Sequence, residues 1–201
     1  MHTINLLLTK FFGISIIGLI IIFQQELRQG LARLGQQHLF SVSLAESDVV
    51  ALIEEIASAL FKLAGKKIGC IIAIEQEIKL KTYIESGVLL DSKASAELLQ
   101  SIFTPPSPLH DGGVIIQGER IIAASCLFPL TENPHYSKMI GTRRRAALGM
   151  SEQTDSVIII ASEETGEVLL AVNGYFTHIE NREHFVAALM DLFLKKDKKK
   201  K

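Results

Sequence analysis

Three short segments put polar or charged side chains where packing does not require them: Leu109-His110-Asp111-Gly112-Gly113, Gly141-Thr142-Arg143-Arg144-Arg145 and Ser162-Glu163-Glu164-Thr165-Gly166. His110 and Asp111, side by side, offer an imidazole and a carboxylate for metal ligation or proton transfer, and the two glycines after them allow a ligand close to the backbone. By itself, Asp-Gly before an apolar run is equally an ordinary turn. Three consecutive arginines cannot share one helix face, because neighbours lie about 100° apart. Two of them at a loop or helix start could fork onto phosphate oxygens, assisted by the Thr142 hydroxyl and free backbone N–H groups. A solvated basic patch is the competing reading. The third segment has the pattern of a hairpin loop, in which a glutamate could also hold a divalent ion together with His110. The remaining histidines, His2, His38, His135, His178 and His184, have no comparable carboxylate beside them.

Each of these segments adjoins a regular element, and loops held by a rigid frame are where reactive groups sit. Ser47 is the expected N-cap of a helix carrying Val49, Val50, Leu52, Ile53, Ile56, Leu60 and Phe61 inward and stopping at Gly65. Ile68 to Ile74 reads as a strand, followed by a strand or irregular segment to Tyr83. Ser92 is the expected cap of a helix through Phe103, halted by Thr104-Pro105-Pro106-Ser107-Pro108. Gly113 to Gln117 and Arg120 to Phe128 form a hairpin across Gly118-Glu119, and Val157 to Ala161 with Val168 to Val172 form another. A helix starts near the arginines, and Arg182 to Leu194 is a last amphipathic helix with Phe185, Leu189, Leu192 and Phe193 inward. The order α, β, α, ββ, α, ββ, α predicts a mixed central β-sheet flanked by helices: an α/β fold, with α+β as the neighbouring class.

The two ends differ from this body. Ile4 to Phe23 is an apolar run broken by Lys10 and a few small polar residues, long enough for one N-terminal transmembrane helix. No small-residue cleavage site follows it, and Arg28 and Arg33 just beyond would hold the larger body in the cytoplasm. Leu27, Leu31 and Leu34 continue at helical period, and 35–43 is the expected boundary. The domain reading is thus 1–23 transmembrane helix, 24–43 juxtamembrane helix and linker, 44–194 globular domain and 195–201 lysine-rich tail. Net charge is -1, yet the tail alone holds six lysines and one aspartate, leaving the body acidic. An acidic body argues against a duplex-DNA binder, and no aromatic stacking platform accompanies the arginines as an RNA-binding module requires. The tail is either a solubilising end or an attraction to anionic membrane lipid, worth about 1 kcal/mol per lysine near the surface. Cys70 and Cys126 lie inside apolar runs without metal-ligand spacing and read as buried thiols.

Taken together, Leu89-Leu90-Asp91, Phe103-Thr104-Pro105, Leu109-His110-Asp111-Gly112, Gly141-Thr142-Arg143-Arg144-Arg145-Ala146-Ala147-Leu148-Gly149, Ser151-Glu152 and Ser162-Glu163-Glu164-Thr165-Gly166 closely resemble, in order and spacing, the bacterial diadenylate cyclase domain. Phe23-Gln24-Gln25-Glu26-Leu27-Arg28 resembles the junction after the membrane helices of its membrane-bound type. The resemblance implies a single-pass protein of the cell membrane whose cytoplasmic domain condenses two ATP into cyclic di-AMP with a divalent metal (Mn2+, Mg2+ or Co2+). It implies catalytic roles for Asp111, Gly112, Arg143 and Arg145. ATP contacts fall on Gly113, Leu127, Phe128, Thr142, Arg143, Arg144, Arg145, Ser162 and Glu163, and metal ligation on His110, Asp111 and Glu164. Since one domain holds one ATP, closing the ring implies a homodimer or larger assembly, and a regulatory protein partner is left open. The chain departs from the family pattern at Arg144, where histidine is usual, at Gly113, where alanine is usual, and at Leu127-Phe128, where an aromatic precedes an aliphatic. Arg144 keeps a cation and adds donors, Gly113 is expected to loosen its loop, and the alternative these departures raise is a membrane-tethered nucleotide-binding regulator without turnover.

Overall fold

A computed structural model of the chain describes residues 46–133 and 140–198, with positions 10, 15 and 23 in isolation. The chain divides into two units, Met1–Ser41 and Val42–Lys201. The expected membrane helix and juxtamembrane segment lie outside the described residues, apart from those three positions. No helix among the described residues is long and apolar enough to cross a membrane.

The second unit runs α1 (Glu46–Gly65), β1 (Cys70–Ile74), α2 (Lys81–Ile84), β2 (Val88–Lys93), α3 (Ala96–Phe103), β3 (Gly113–Gln117), β4 (Arg120–Cys126), α4 (Thr142–Gln153), β5 (Val157–Ala161), β6 (Val168–Val172), β7 (Tyr175–Ile179) and α5 (Arg182–Lys198). The seven strands form one sheet in the order β2-β4-β3-β1-β5-β6-β7. Only β1 and β3 pair in parallel; the other neighbours are antiparallel. This is the mixed sheet with flanking helices that the element order predicts.

Why the central strands read as unbroken apolar runs follows from their two covered faces. Ile72, Ile74, Val114, Ile116, Ile159 and Leu170 pack under α1, α3 and α5, while Ile71, Ala73, Ile115, Ile158, Ile160 and Ala171 pack against Ala147 and Met150 of α4. Alternate side chains point to opposite faces, so every residue of β1 and β5 is buried.

Register brings the chemistry to one end of the sheet. Cys70 pairs with Ala161, Ala161 with Val168, and Gly113 with Cys126, while β1 and β3 run parallel. The starts of β1, β3 and β6 and the ends of β4 and β5 therefore share that edge. His110-Asp111-Gly112 enters there, Leu127-Phe128 leaves there, and the loop 162–167 turns there.

Two elements differ from the sequence expectation. Val88–Lys93 is a strand, and Ser92 lies within it; the cap of α3 is Ser95, whose side chain accepts the Leu98 N–H at 3.2 Å. A bulge between Leu89 and Ser92, with Asp91 in the left-handed region (φ 45), breaks the alternation that would have marked this strand. Strand β7 was not expected either. Its pair β6–β7 turns at Asn173-Gly174, both left-handed (φ 52 and 79), which is the Asn-Gly hairpin signal. Smaller differences are α1 beginning at Glu46, α2 where a strand or irregular segment was expected, β4 ending at Cys126, and α5 continuing to Lys198.

Candidate active site

The first turn of α4 faces the loop between β5 and β6. Gly141 precedes the helix without a side-chain cap, and its carbonyl accepts the Arg145 N–H at 3.0 Å, so the N–H groups of the first turn have no acceptor within the helix. Across from them the loop is a tight turn: Ser162 N–H donates to Glu167 O and Gly166 N–H to Ser162 O, both at 2.9 Å. Gly166 (φ 76) is required here, because a Cβ on it would meet Ala64 O at 2.8 Å.

Two arginines join helix to loop. Arg143 Nη1 donates to Glu163 Oε2, and Arg144 Nη2 donates to Glu167 Oε2 at 2.8 Å. Hydrogen bonds from Thr165 and Arg144 hold the Glu167 carboxyl below its ordinary value. Arg145 turns inward: its Nε is buried without a hydrogen-bond partner among the described residues, and its carbonyl accepts the Thr131 N–H at 3.0 Å. Gly69, just before β1, leaves room for the Arg143–Glu163 pair, since a Cβ there would stand 2.8 Å from Arg143 Nη1 and 3.0 Å from Glu163 Oε2.

That ion pair separates two clefts. The smaller, about 40 Å³, is lined by Gly141, Thr142, Arg143, Arg144, Ser162, Glu163 and Glu164 with Ile160 and Ala161 beneath. The larger, about 190 Å³, is lined by Lys67, Ile68, Gly69, Phe103, Pro105, His110, Arg143 and Glu163. His110 Nδ1 is fixed against Ser107 O at 2.6 Å, which leaves Nε2 as the outward nitrogen. Cys70 lies at this end of the sheet and is fully buried; burial pushes its thiol up to about 12, and Arg143 only partly offsets this.

The structure thus brings together Thr142, Arg143, Arg144, Ser162, Glu163 and Glu164, and sets His110 beside Arg143 and Glu163. Asp111, Gly112, Gly113, Leu127, Phe128 and Arg145 line neither cleft. Asp111 and Leu127 are exposed, at the same sheet end. His110 and Glu164 line different clefts, and among the described residues no group of three or more His, Cys, Asp or Glu is placed to hold an ion.

Gly113 does not loosen its loop. A Cβ on it would lie 2.3 Å from Phe128 Cε2, so the Phe128 ring fills the space of the missing methyl. Tyr83 packs edge-on against that ring, with centroids 6.4 Å apart. The departures at positions 113 and 128 are one packing solution. Lys67 was missed from the sequence. It follows the end of α1, is left-handed (φ 53), and no local pattern distinguishes it from its neighbour Lys66. Ile68 and Gly69 were missed as lining for the same reason, while Phe103 and Pro105 stood in the segment Phe103-Thr104-Pro105 without a contact assigned to them: their place appears only when α3, β1 and α4 converge.

A family model described as DAC, the nucleotide-binding domain of the DisA bacterial checkpoint controller, matches residues 57–176. Cyclic di-AMP synthase CdaA of Bacillus subtilis is 42% identical over 98% of this chain and 72% of its own length. The chain belongs to the diadenylate cyclase family. Its similarity to the diadenylate cyclase of Listeria monocytogenes is 42% over 84% of this chain and 67% of that one. Among solved structures, a double mutant of DacA from Staphylococcus aureus is 42% identical with a TM-score of 0.68, covering 70% of this chain and 94% of that one. A hypothetical membrane spanning protein from Bacillus cereus is 38% identical with a TM-score of 0.61, covering 63% and 62%. The matched span runs from α1 into β7 and so contains every element that builds both clefts of this diadenylate cyclase domain.

Proposed function

We propose that the chain is a diadenylate cyclase that joins two ATP molecules into cyclic di-AMP and releases two pyrophosphates. The observation that carries this reading is the cationic wall of Lys67, Arg143 and the α4 first turn between two adjoining clefts, in a chain akin to a cyclic di-AMP synthase over nearly its whole length. Phosphoryl chemistry is accelerated mainly by alignment and charge neutralisation, and this wall supplies both.

Thr142, Arg143 and the free N–H groups of α4 take the phosphate oxygens, with Ser162 opposite. Arg145 lines neither cleft, and its role toward the triphosphate is assigned from the family pattern; its Nε, buried without a partner among the described residues, is the donor it would bring. Leu127 and Phe128 are assigned to the adenine side. Asp111 accepts the proton of a ribose 3′-hydroxyl as that oxygen bonds to the α-phosphorus of the other ATP; the bond to the bridging oxygen breaks and pyrophosphate leaves. Asp111 is exposed and outside both clefts, as a reaction shared between two facing copies needs, so the active form is a homodimer or larger assembly.

The donor set suits a divalent ion carried by the nucleotide. Imidazole and carboxylate are apt ligands for Mn2+, Mg2+ or Co2+, and an ion held by one or two side chains plus phosphates needs no protein cage. His110 Nε2, Asp111 and Glu164 are the residues assigned to it; because His110 and Glu164 line different clefts and Asp111 lines neither, phosphate oxygens would have to complete the shell, and the ion would neutralise charge on the triphosphate. The membrane-spanning description of the Bacillus cereus neighbour supports a cell-membrane location, with 1–23 as a single-pass anchor, 24–43 as linker, 44–194 as the cytoplasmic catalytic domain and 195–201 as a lysine tail near anionic lipid.

The test is to incubate the full chain with ATP and Mn2+ and analyse products by mass. Cyclic di-AMP with two equivalents of pyrophosphate is expected. ATP bound without any cyclic product would identify the alternative, a nucleotide-binding regulator, and reject the enzyme.

A further inference from the structure

Two arginines of one helical turn each donate to a glutamate of the same loop, and they differ in what else they face. Arg143 lines both clefts, so a triphosphate entering either one meets it. Arg144 lines only the smaller, and its Nη2 is bound to Glu167 Oε2 at 2.8 Å with Thr165 Oγ1 at 3.4 Å. The same carboxylate oxygen accepts the Thr165 hydroxyl at 2.9 Å, and the Glu167 carbonyl accepts the Ser162 N–H at 2.9 Å. Glu167 therefore closes the loop opposite Ser162, and Glu163 and Glu164 follow Ser162 on the other arm.

We propose that Arg144 is a positioning residue: through Glu167 it fixes the loop 162–167 against α4, so that Ser162, Glu163 and Glu164 face the substrate. This rests on the cyclase reading and assigns Arg144 a different task from its neighbours Arg143 and Arg145. A guanidinium suits the task because it stays charged and presents several donors in a planar fork, enough for a carboxylate and a hydroxyl together. The histidine usual at this place in the family pattern has two ring nitrogens and titrates near neutrality. The side chains of the pair are 23% and 44% exposed, so it contributes little to stability, and its effect is geometric.

The test is a double-mutant cycle on the full chain with Arg144→Gln and Glu167→Gln. Each single variant is expected to lower kcat by about fivefold or more while KM for ATP stays within about twofold, because a displaced loop misaligns the reaction more than it weakens binding. The double variant is expected to be no worse than either single one. The exchange Arg144→Glu with Glu167→Arg, which restores an ion pair in reverse, is expected to recover part of the lost kcat. If Glu167→Gln instead tightened ATP binding by releasing a phosphate-seeking arginine, or if the two losses were additive, the proposal would be overturned. Amide hydrogen exchange of 162–167 keeps the two readings apart. Faster exchange in each single variant, with no further increase in the double variant, supports the positioning role even in a chain that makes no cyclic di-AMP, and unchanged exchange rejects it.

Discussion

At the scale of single residues, position on the shared sheet end separates tasks that residue type alone leaves merged. Asp111 is exposed and lines neither cleft, so Asp111→Asn is expected to leave ATP binding within about twofold while product formation falls at least about 100-fold. Single-turnover assays beside equilibrium binding check this. Arg143 sits in both cleft walls, and Arg143→Ala is expected to raise KM for ATP about tenfold or more; an unchanged KM would make it a surface residue. Cys70 and Cys126 are free and buried, with burial raising their thiols to about 12 and about 11. Since the thiolate is the nucleophile, neither should react with iodoacetamide at pH 8 until the chain is unfolded, as intact mass will show.

At the scale of elements, packing against a distant partner decides what a local pattern cannot. Gly113→Ala would push a methyl into the Phe128 ring, an overpacking that costs about 1–3 kcal/mol, and adding Phe128→Leu should recover most of it. Thermal unfolding of the single and double variants measures both. Ser95→Ala removes the cap of α3 and should cost about 1 kcal/mol in denaturant unfolding, whereas Ser92→Ala should not act as a cap loss. The β1, β3, β5 and β6 strands were legible because burial on both faces makes them continuous apolar runs. Strand β2 was hidden by its bulge at Asp91, and β7 by its mostly exposed positions, only Ile179 being buried, although Asn173-Gly174 marked its turn. Of the three motifs legible in the sequence, His110, Gly141 to Arg144 and Ser162 to Glu164 line the clefts. Lys67 and Gly69 were not legible, because their nearness to Arg143 and Glu163 is created by the pairing of Cys70 with Ala161 and leaves no trace in local spacing.

At the scale of the whole molecule, the α4 first turn, the 162–167 loop and His110 gather around one edge of the sheet, with Asp111 facing outward beside them. On the proposed cyclase reading, one copy binds one triphosphate and catalysis requires two copies to meet. The most direct measurement supplies the full chain with Mn2+ and an equal mixture of unlabelled and uniformly 13C-labelled ATP, and reads the mass of the product. Cyclic di-AMP in unlabelled, half-labelled and fully labelled forms, the half-labelled form most abundant, is the expected result. ATP that stays intact, or yields only linear or mononucleotide products, would contradict it.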